Sequence, residues 1–252
     1  MKKIIALLLA VCMIAAFAGC AKSDAPAATT EAPTTEAPTE TTEEVTAPAE
    51  AEADVMTHAD FVAAELESPV CIETYVQAHQ SWWDNKLTVY AQSEDGAYFI
   101  YEMECSEEDA AKLVPGTKIR VNGFKTEWSG EVEIRDASFE ILEGSYIAEP
   151  KDLTGMLGVS NLIDWQNEKI AVNDLVFEKL EYKGGEPGDD IYLTFNSDGT
   201  SYNFCVESYL TGPDSEVYTT AGSLAEGDTV DVEGFLYWYN GANIHITSIT
   251  VK

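Results

Sequence analysis

The fold is decided by a stretch of sequence that the chain contains twice. Residues 113–124 read LVPGTKIRVNGF, and residues 224–235 read LAEGDTVDVEGF, at an offset of 111. In both copies a turn with a glycine precedes alternating apolar and polar residues, which is the period of a half-buried strand, and the strand ends at Gly-Phe. A repeat of this kind indicates that one structural unit is built twice.

The correspondence extends on both sides of this stretch. Downstream, residues 128–130 and 239–241 are typical of hairpin turns, and each leads into another apolar strand. Upstream, each copy has three alternating segments and then a short helix, which begins at Ser106 in the first copy and at Asp214 or Ser215 in the second. The three upstream strands are predicted at 70–77, 87–90 and 98–101, and again at 170–180, 191–195 and 202–205.

Three strands, a helix and two further strands is an order that resembles the OB-fold, a five-stranded partly open barrel. The sequence is therefore predicted to be all-β with short helices. It has two tandem OB-fold-like barrels, at residues 55–144 and 152–252, that follow a signal peptide and a disordered linker. Residues 144–151 join the barrels. A further helix at 57–65, capped by Thr57 and Asp60, is predicted to lead into the first barrel.

Residues 1–19 have the pattern of a signal peptide. Two lysines precede an uncharged stretch, Ile4–Gly19, that is shorter than the roughly 20 residues needed to span a bilayer. The end of this stretch, Ala18-Gly19-Cys20, resembles the lipobox of bacterial lipoproteins, and the resemblance implies that Cys20 receives a diacylglycerol after cleavage. The alternative is an ordinary secreted protein that is cut near Ala18.

Residues 20–54 contain the lipidated cysteine and a linker rich in Ala, Thr, Glu and Pro, with no aromatic residue. Such a composition cannot bury enough apolar surface to fold, so an extended, disordered linker is predicted. The expected location is the extracellular face of the cell membrane, to which two acyl chains give a stable anchor.

Residues 55–252 also resemble a family of small lipoproteins from anaerobic gut Firmicutes. The segments that carry this resemblance are Gln80–Asp84, Gly96–Phe99, Glu127–Glu131 and Gly234–Tyr239. The resemblance implies the location and the fold, and it implies no activity.

Charge sets limits on the partners. The whole chain has 45 acidic and 14 basic residues, a formal net charge of −31. Residues 55–252 alone carry 36 acidic and 11 basic residues, a balance of −25. Because affinity for phosphates comes from clustered Lys and Arg, this balance predicts that the barrels do not bind nucleic acid.

Signatures of catalysis are absent from the sequence. No nucleophile elbow, phosphate-binding loop or dinucleotide-binding glycine pattern occurs, and the histidines lack metal-ligand spacing. No catalytic residue, metal or cofactor is therefore predicted. His245 alternates with Ile244 and Ile246, so it is expected to point out of the last hairpin. Calcium at the Asp-rich loops 184–190 and 196–200 is an alternative to ordinary turn chemistry.

Aromatic residues give the candidate binding site. They fall in the loops that flank the ligand face of an OB-fold, and in this sequence they are Trp82, Trp83, Trp128, Tyr182, Trp238 and Tyr239. Exposed aromatic rings beside polar groups bind sugars, peptides or bases, whereas buried rings would close the barrel ends or the contact between barrels. If Trp82 and Trp83 form a platform, their truncation should be nearly neutral for stability.

The leading functional hypothesis is a non-enzymatic, lipid-anchored cell-surface protein whose barrels bind a glycan or a peptide of the envelope or the medium. The first alternative is a structural or accessory subunit of an envelope protein complex, with the aromatic loops buried against a partner protein. The second alternative is an enzyme with an unrecognised acidic site.

Overall fold

A computed structural model describes residues 54–252. The predicted signal peptide, Cys20 and all but the last residue of the linker lie outside these residues. The first half begins with helix α1 (His58–Ala63) and strands β1 (Pro69–His79), β2 (Lys86–Ser93) and β3 (Gly96–Glu104). Helix α2 (Glu107–Ala110) follows, and then strands β4 (Thr117–Trp128) and β5 (Glu131–Ser145).

The five strands of the first half form a closed barrel in the order β1-β2-β3-β5-β4. All neighbouring pairs are antiparallel except β3 and β5, which run parallel where Phe99 lies opposite Glu133. Apolar side chains that alternate along the strands fill the interior, and Ile72, Val89, Ile100, Ile119 and Val121 are completely buried. This is the five-stranded OB-like arrangement that the sequence predicts.

The second half repeats this order with additions. It contains β6 (Lys151–Asp152), a 3-10 helix (Leu162–Trp165), β7 (Lys169–Tyr182), β8 (Ile191–Ser197) and β9 (Thr200–Val206). Helices α3 (Ser208–Thr211) and α4 (Glu216–Ser223) follow, and then β10 (Thr229–Trp238) and β11 (Ala242–Val251). Pairing of β10 with β7 closes the sheet, β9 and β11 meet in parallel, and β6 adds to β7. The prediction of two tandem barrels is confirmed.

Glycine is required in the repeated Gly-Phe pair for the same reason in both barrels. A Cβ on Gly123 would lie 2.8 Å from the carbonyl oxygen of Arg135, and a Cβ on Gly234 would lie 2.3 Å from that of His245. Both glycines sit at a register shift between the last two strands of their barrel. The repeat therefore preserves a place where two backbones approach too closely for any side chain.

Helix caps also agree with the sequence analysis. Thr57 caps α1 and forms a reciprocal capping box with Asp60, and the hydroxyl of Ser215 accepts a hydrogen bond from the backbone N–H of Tyr218 in α4. The structure adds the 3-10 helix, α3 and β6, which were not predicted because they are too short to show a hydrophobic period. Within residues 54–252, no helix has the length and apolar character needed to cross a membrane.

Candidate functional site

The two barrels pack against each other through aromatic side chains. Tyr90 and Phe99 project from the outer face of β2 and β3, and they meet Phe235 of the second barrel. The rings of Tyr90 and Phe235 stack with centroids 4.6 Å apart, and Phe99 meets Tyr237 edge-on at 5.2 Å. We call this contact, with the adjoining His245, the seam.

The seam occupies the surface that OB-folds use for ligands, which is the outer face of the second and third strands. In the first barrel this face carries Tyr90 and Phe99. In the second barrel the corresponding positions on β8 and β9 are occupied by Thr194 and Asn203, which hydrogen-bond to each other at 3.2 Å. The first barrel's ligand face thus carries aromatic residues that pack in the seam, whereas the corresponding pair in the second barrel is polar.

A buried polar network closes one end of the seam. The Tyr90 hydroxyl lies 2.6 Å from His245 Nδ1 and 3.2 Å from Glu207 Oε2, and the Gln80 amide donates to both oxygens of Glu207 at 2.9 Å. Burial raises the pKa of Glu207 to about 7 and lowers the pKa of His245 to about 4. The imidazole is therefore neutral at physiological pH. His245 does point out of the hairpin, as predicted, but into the seam.

The predicted aromatic site residues lie in separate places. Trp82 is half-buried, and its indole N–H donates to the carbonyl of Cys105 at 2.8 Å, whereas Trp83 is 78% exposed. At the other end of the ligand face, Trp128 is 58% exposed. The hairpin turns of the two barrels meet there, because Asn240 N–H donates to the carbonyl of Ser129. The seam lies between the loop that contains Trp82 and Trp83 and the hairpin turn that follows Trp128.

The remaining three aromatic residues belong to the second barrel. The indole of Trp238 is half-buried and lies 2.7 Å from the position of a Cβ on Gly130 of the first barrel. Tyr239, next to it, is 54% exposed. Tyr182 packs against the core of the second barrel, with its hydroxyl near Gly222 of α4. These positions divide the six residues into packing groups, Trp82, Trp238 and Tyr182, and exposed groups, Trp83, Trp128 and Tyr239.

This division changes the expected cost of truncation. Trp83→Ala should alter the free energy of unfolding by no more than about 0.5 kcal/mol, as at ordinary surface sites. Trp82→Ala removes a hydrogen bond and packing against the first core, so we expect a loss of about 1–2 kcal/mol. Urea denaturation of both variants measures the difference, and equal losses would show that neither the hydrogen bond nor the core packing of Trp82 contributes to stability.

An open cleft of about 470 Å³ lies beside the loop that contains Trp83, at the end of β3. We call it the Tyr101 cleft. The Arg135 guanidinium lies over the Tyr101 ring, 4.9 Å from its centroid, and Lys86 forms a 2.6 Å ion pair with Glu102. The rest of the lining is mostly polar: Asp84, Asn85, Glu104, Asp136, Ala137 and Ser138.

Backbone conformation and charge distinguish this cleft. Asp84, Asn85, Glu102 and Asp136 all adopt positive φ angles, between 47° and 59°, which is uncommon for residues other than glycine. The hydrogen bond from Lys86 lowers the pKa of Glu102, so this carboxylate is ionised at neutral pH. The cleft thus combines a flat cationic and aromatic surface with several carboxylate oxygens.

Tyr101 and Arg135 are not among the site residues predicted from the sequence. The signal that could have found Tyr101 is its spacing, because it lies two residues after Phe99 and so on the same outer face of β3. Arg135 reaches this ring from β5 only because β3 and β5 run parallel and adjacent. That pairing becomes evident only when the barrel is closed.

Neither a metal site nor a reactive thiol stands out in the described part of the chain. Between residues 54 and 252 no three His, Cys, Asp or Glu side chains are grouped so that they could hold a metal ion. Cys71, Cys105 and Cys205 are free and buried, and burial raises the pKa of each thiol, to about 11 for Cys105. A raised thiol pKa is the opposite of what an activated nucleophile needs.

Comparison with known proteins gives matches of fold only. No family model matches the chain, and no curated protein does. Among solved structures, the tetrameric p202 HIN2 domain is 11% identical, over 75% of this chain and 96% of that one, with a TM-score of 0.31. A murine DNA-binding protein bound to double-stranded DNA is 11% identical, over 72% and 94% of the two chains, with a TM-score of 0.35. A replication protein A heterotrimer bound to single-stranded DNA is 10% identical, over 73% and 49%, with a TM-score of 0.30.

These findings correct the functional predictions made from the sequence. Two of these structures hold DNA, whereas the sequence predicted a glycan or peptide ligand and no nucleic acid, and neither of these predictions is retained. The glycan- or peptide-binding role and its alternative, an envelope-complex subunit, are withdrawn with them. Net charge averages over the whole surface, so it does not decide what a single local site can bind.

Proposed function

We propose that the chain is a non-enzymatic binding module whose Tyr101 cleft takes a planar, nitrogen-rich ring such as a nucleobase. The observation that carries this proposal is the Arg135–Tyr101 pair in a cleft ringed by carboxylates. Aromatic rings and guanidinium planes stack on bases of any sequence.

Carboxylates complete the proposed recognition. An ionised Asp or Glu accepts hydrogen bonds from the amino groups on the edge of a base, as in the pairing of acidic side chains with cytosine. Glu104 and Asp136 line the cleft and are candidates for such contacts, whereas Glu102 is already paired with Lys86. The same carboxylates repel phosphate, so the base rather than the backbone makes the contact.

Nucleosides and nucleoside monophosphates test this electrostatic argument directly. We expect a nucleoside to bind more tightly than its monophosphate, and we expect added salt to strengthen binding of a short single-stranded oligonucleotide by screening the repulsion. Titrations followed by tryptophan fluorescence measure both effects. Binding that weakens steeply with salt would mean that phosphate contacts dominate, against the proposal.

Two variants test whether the nucleoside binds in the Tyr101 cleft. Tyr101→Ala should weaken nucleoside binding by about tenfold or more, because base–aromatic stacking contributes roughly 1–3 kcal/mol per base. Tyr239→Ala is the matched control, since it removes a tyrosine that is exposed on another turn and does not line the cleft. Equal affinity of the two variants, or no binding of any nucleoside by the unmodified protein, would disprove the proposed site.

We also propose that the chain is anchored to the extracellular face of the membrane by a lipid on Cys20. The support is sequence alone: small residues precede a cysteine at the end of an apolar leader. Mass spectrometry of the mature N-terminus should show a diacylglyceryl-cysteine. An unmodified N-terminus at any other residue would contradict this proposal.

A further inference from the structure

A second polar contact between the two barrels contains two buried oxygen atoms that lack hydrogen-bond donors. They are Glu131 Oε1 and Asn167 Oδ1, and their side chains adjoin each other. Glu131 is completely buried and Asn167 is 4% exposed. Buried acceptors without a donor are rare because their desolvation is not compensated, so a neighbouring pair of them needs an explanation.

The other polar atom of each side chain already forms a hydrogen bond. Glu131 Oε2 accepts a hydrogen bond from the backbone N–H of Trp238 at 2.8 Å, and Asn167 Nδ2 donates to the Val132 carbonyl at 3.3 Å. Rotating the Asn167 amide by half a turn would place its oxygen against that carbonyl, which pairs two acceptors. A proton on Glu131 instead supplies the missing donor and satisfies both orphan oxygens.

We propose that Glu131 is a neutral acid that donates its Oε1 proton to Asn167 Oδ1, and that this proton helps to lock the two barrels together. Glu131 is the first residue of β5 in the first barrel, whereas Asn167 and Trp238 belong to the second. One protonated carboxyl group thus makes two hydrogen bonds across the contact. Loss of the proton leaves an unpaired buried charge opposite an amide oxygen.

The surroundings of Glu131 agree with a neutral state. The titratable groups near it are Glu133 on its own strand and, on β10, the neutral Tyr237 hydroxyl, whose pKa is raised. Burial is the largest influence and raises the pKa of Glu131 to about 8; the Trp238 backbone and the Asn167 side chain lower the pKa, and Glu133 raises it. Arg135 lies 3.7 Å from Glu133, and none of the ion pairs within residues 54–252 includes Glu131. Across the seam the titratable groups are Glu207 and His245.

The direction of the pH effect follows from this arrangement. In the unfolded chain Glu131 has an ordinary pKa of about 4.3, whereas in the folded state it keeps its proton until about pH 8. The folded state therefore binds more protons between these values. The contribution of Glu131 to stability is complete below about pH 4.3 and is lost as the pH rises through 8.

The test compares the protein with Glu131→Gln and with Glu127→Gln, an exposed carboxyl on the same hairpin. The glutamine at 131 keeps an acceptor for Trp238 N–H and offers Asn167 a permanent donor. Urea midpoints are measured between pH 5 and 9. We expect the midpoints of the unmodified protein and of Glu127→Gln to fall in parallel as the pH rises, and those of Glu131→Gln to fall clearly less.

A second measurement decides the question even if Glu131→Gln does not fold. The carboxyl carbon of Glu131, followed by NMR in the unmodified protein, should titrate with a midpoint above about pH 6, well above an ordinary glutamate. A midpoint at or below about pH 6 would overturn the proposal, and so would a pH profile of Glu131→Gln that superimposes on that of the unmodified protein.

Discussion

Tyr90→Ala should lower the free energy of unfolding by about 3–5 kcal/mol, the range for removing a large aromatic ring from a packed interior. Tyr90 is completely buried, although it points away from the interior of its own barrel, because Phe235 of the other barrel stacks on it. The variant therefore measures how much the seam stabilises the two barrels together. Chemical denaturation followed by tryptophan fluorescence gives the value.

Two further variants separate the parts of this effect. Tyr90→Phe keeps the ring and removes only the hydroxyl that reaches His245 and Glu207, so a loss of about 1–2 kcal/mol is expected. Tyr239→Ala removes an exposed ring and should change stability by no more than about 0.5 kcal/mol. If Tyr90→Ala were as mild as Tyr239→Ala, the seam would not hold the barrels together.

Gly234→Ala should cost about 3 kcal/mol, at the upper end of the range for overpacking. The added methyl group would lie 2.3 Å from the carbonyl oxygen of His245. That oxygen belongs to the backbone of β11, which is paired with β10 and cannot move away without breaking the ladder. Thermal and urea unfolding of the variant measure the loss.

The matched control for this glycine is Gly184→Ala. Gly184 lies in the loop between β7 and β8, and no atom lies within 4 Å of its Cβ position. We expect this control to be neutral or slightly stabilising, because alanine restricts the unfolded chain more than glycine does. Similar losses at Gly234 and Gly184 would show that the close approach at the register shift is not what selects glycine.

The sequence predicted the barrels because the relevant signals are local or repeated. Alternation along the strands, the Gly-Phe pair and the capping residues Thr57 and Ser215 each act over a few residues. The seam could not be predicted in this way. Alternation shows that Tyr90 and Phe99 leave the interior of their barrel, but it cannot show whether they meet water or another barrel.

The candidate site was hard to predict for a related reason. Trp83 was found because a tryptophan in a loop is conspicuous in a sequence. Tyr101 and Arg135 are 34 positions apart and become neighbours only through the parallel pairing of β3 and β5. Glu131 could not be distinguished from the many solvated acidic residues, because its burial depends on Asn167 and Trp238 of the other barrel.

The contrast between the two ligand faces also limits how far this architecture can be extended. The seam joins two different surfaces of the repeated unit, and a contact of that kind can continue from copy to copy into an open filament. Continuation would require the second barrel to offer another aromatic face, but β8 and β9 present Thr194 and Asn203 there. Phe124 of the first barrel, the counterpart of Phe235 in the repeat, is 43% exposed. Divergence at a few outward positions thus leaves the repeat with one aromatic face, and β8 and β9 do not offer the contact that joins the two barrels a second time.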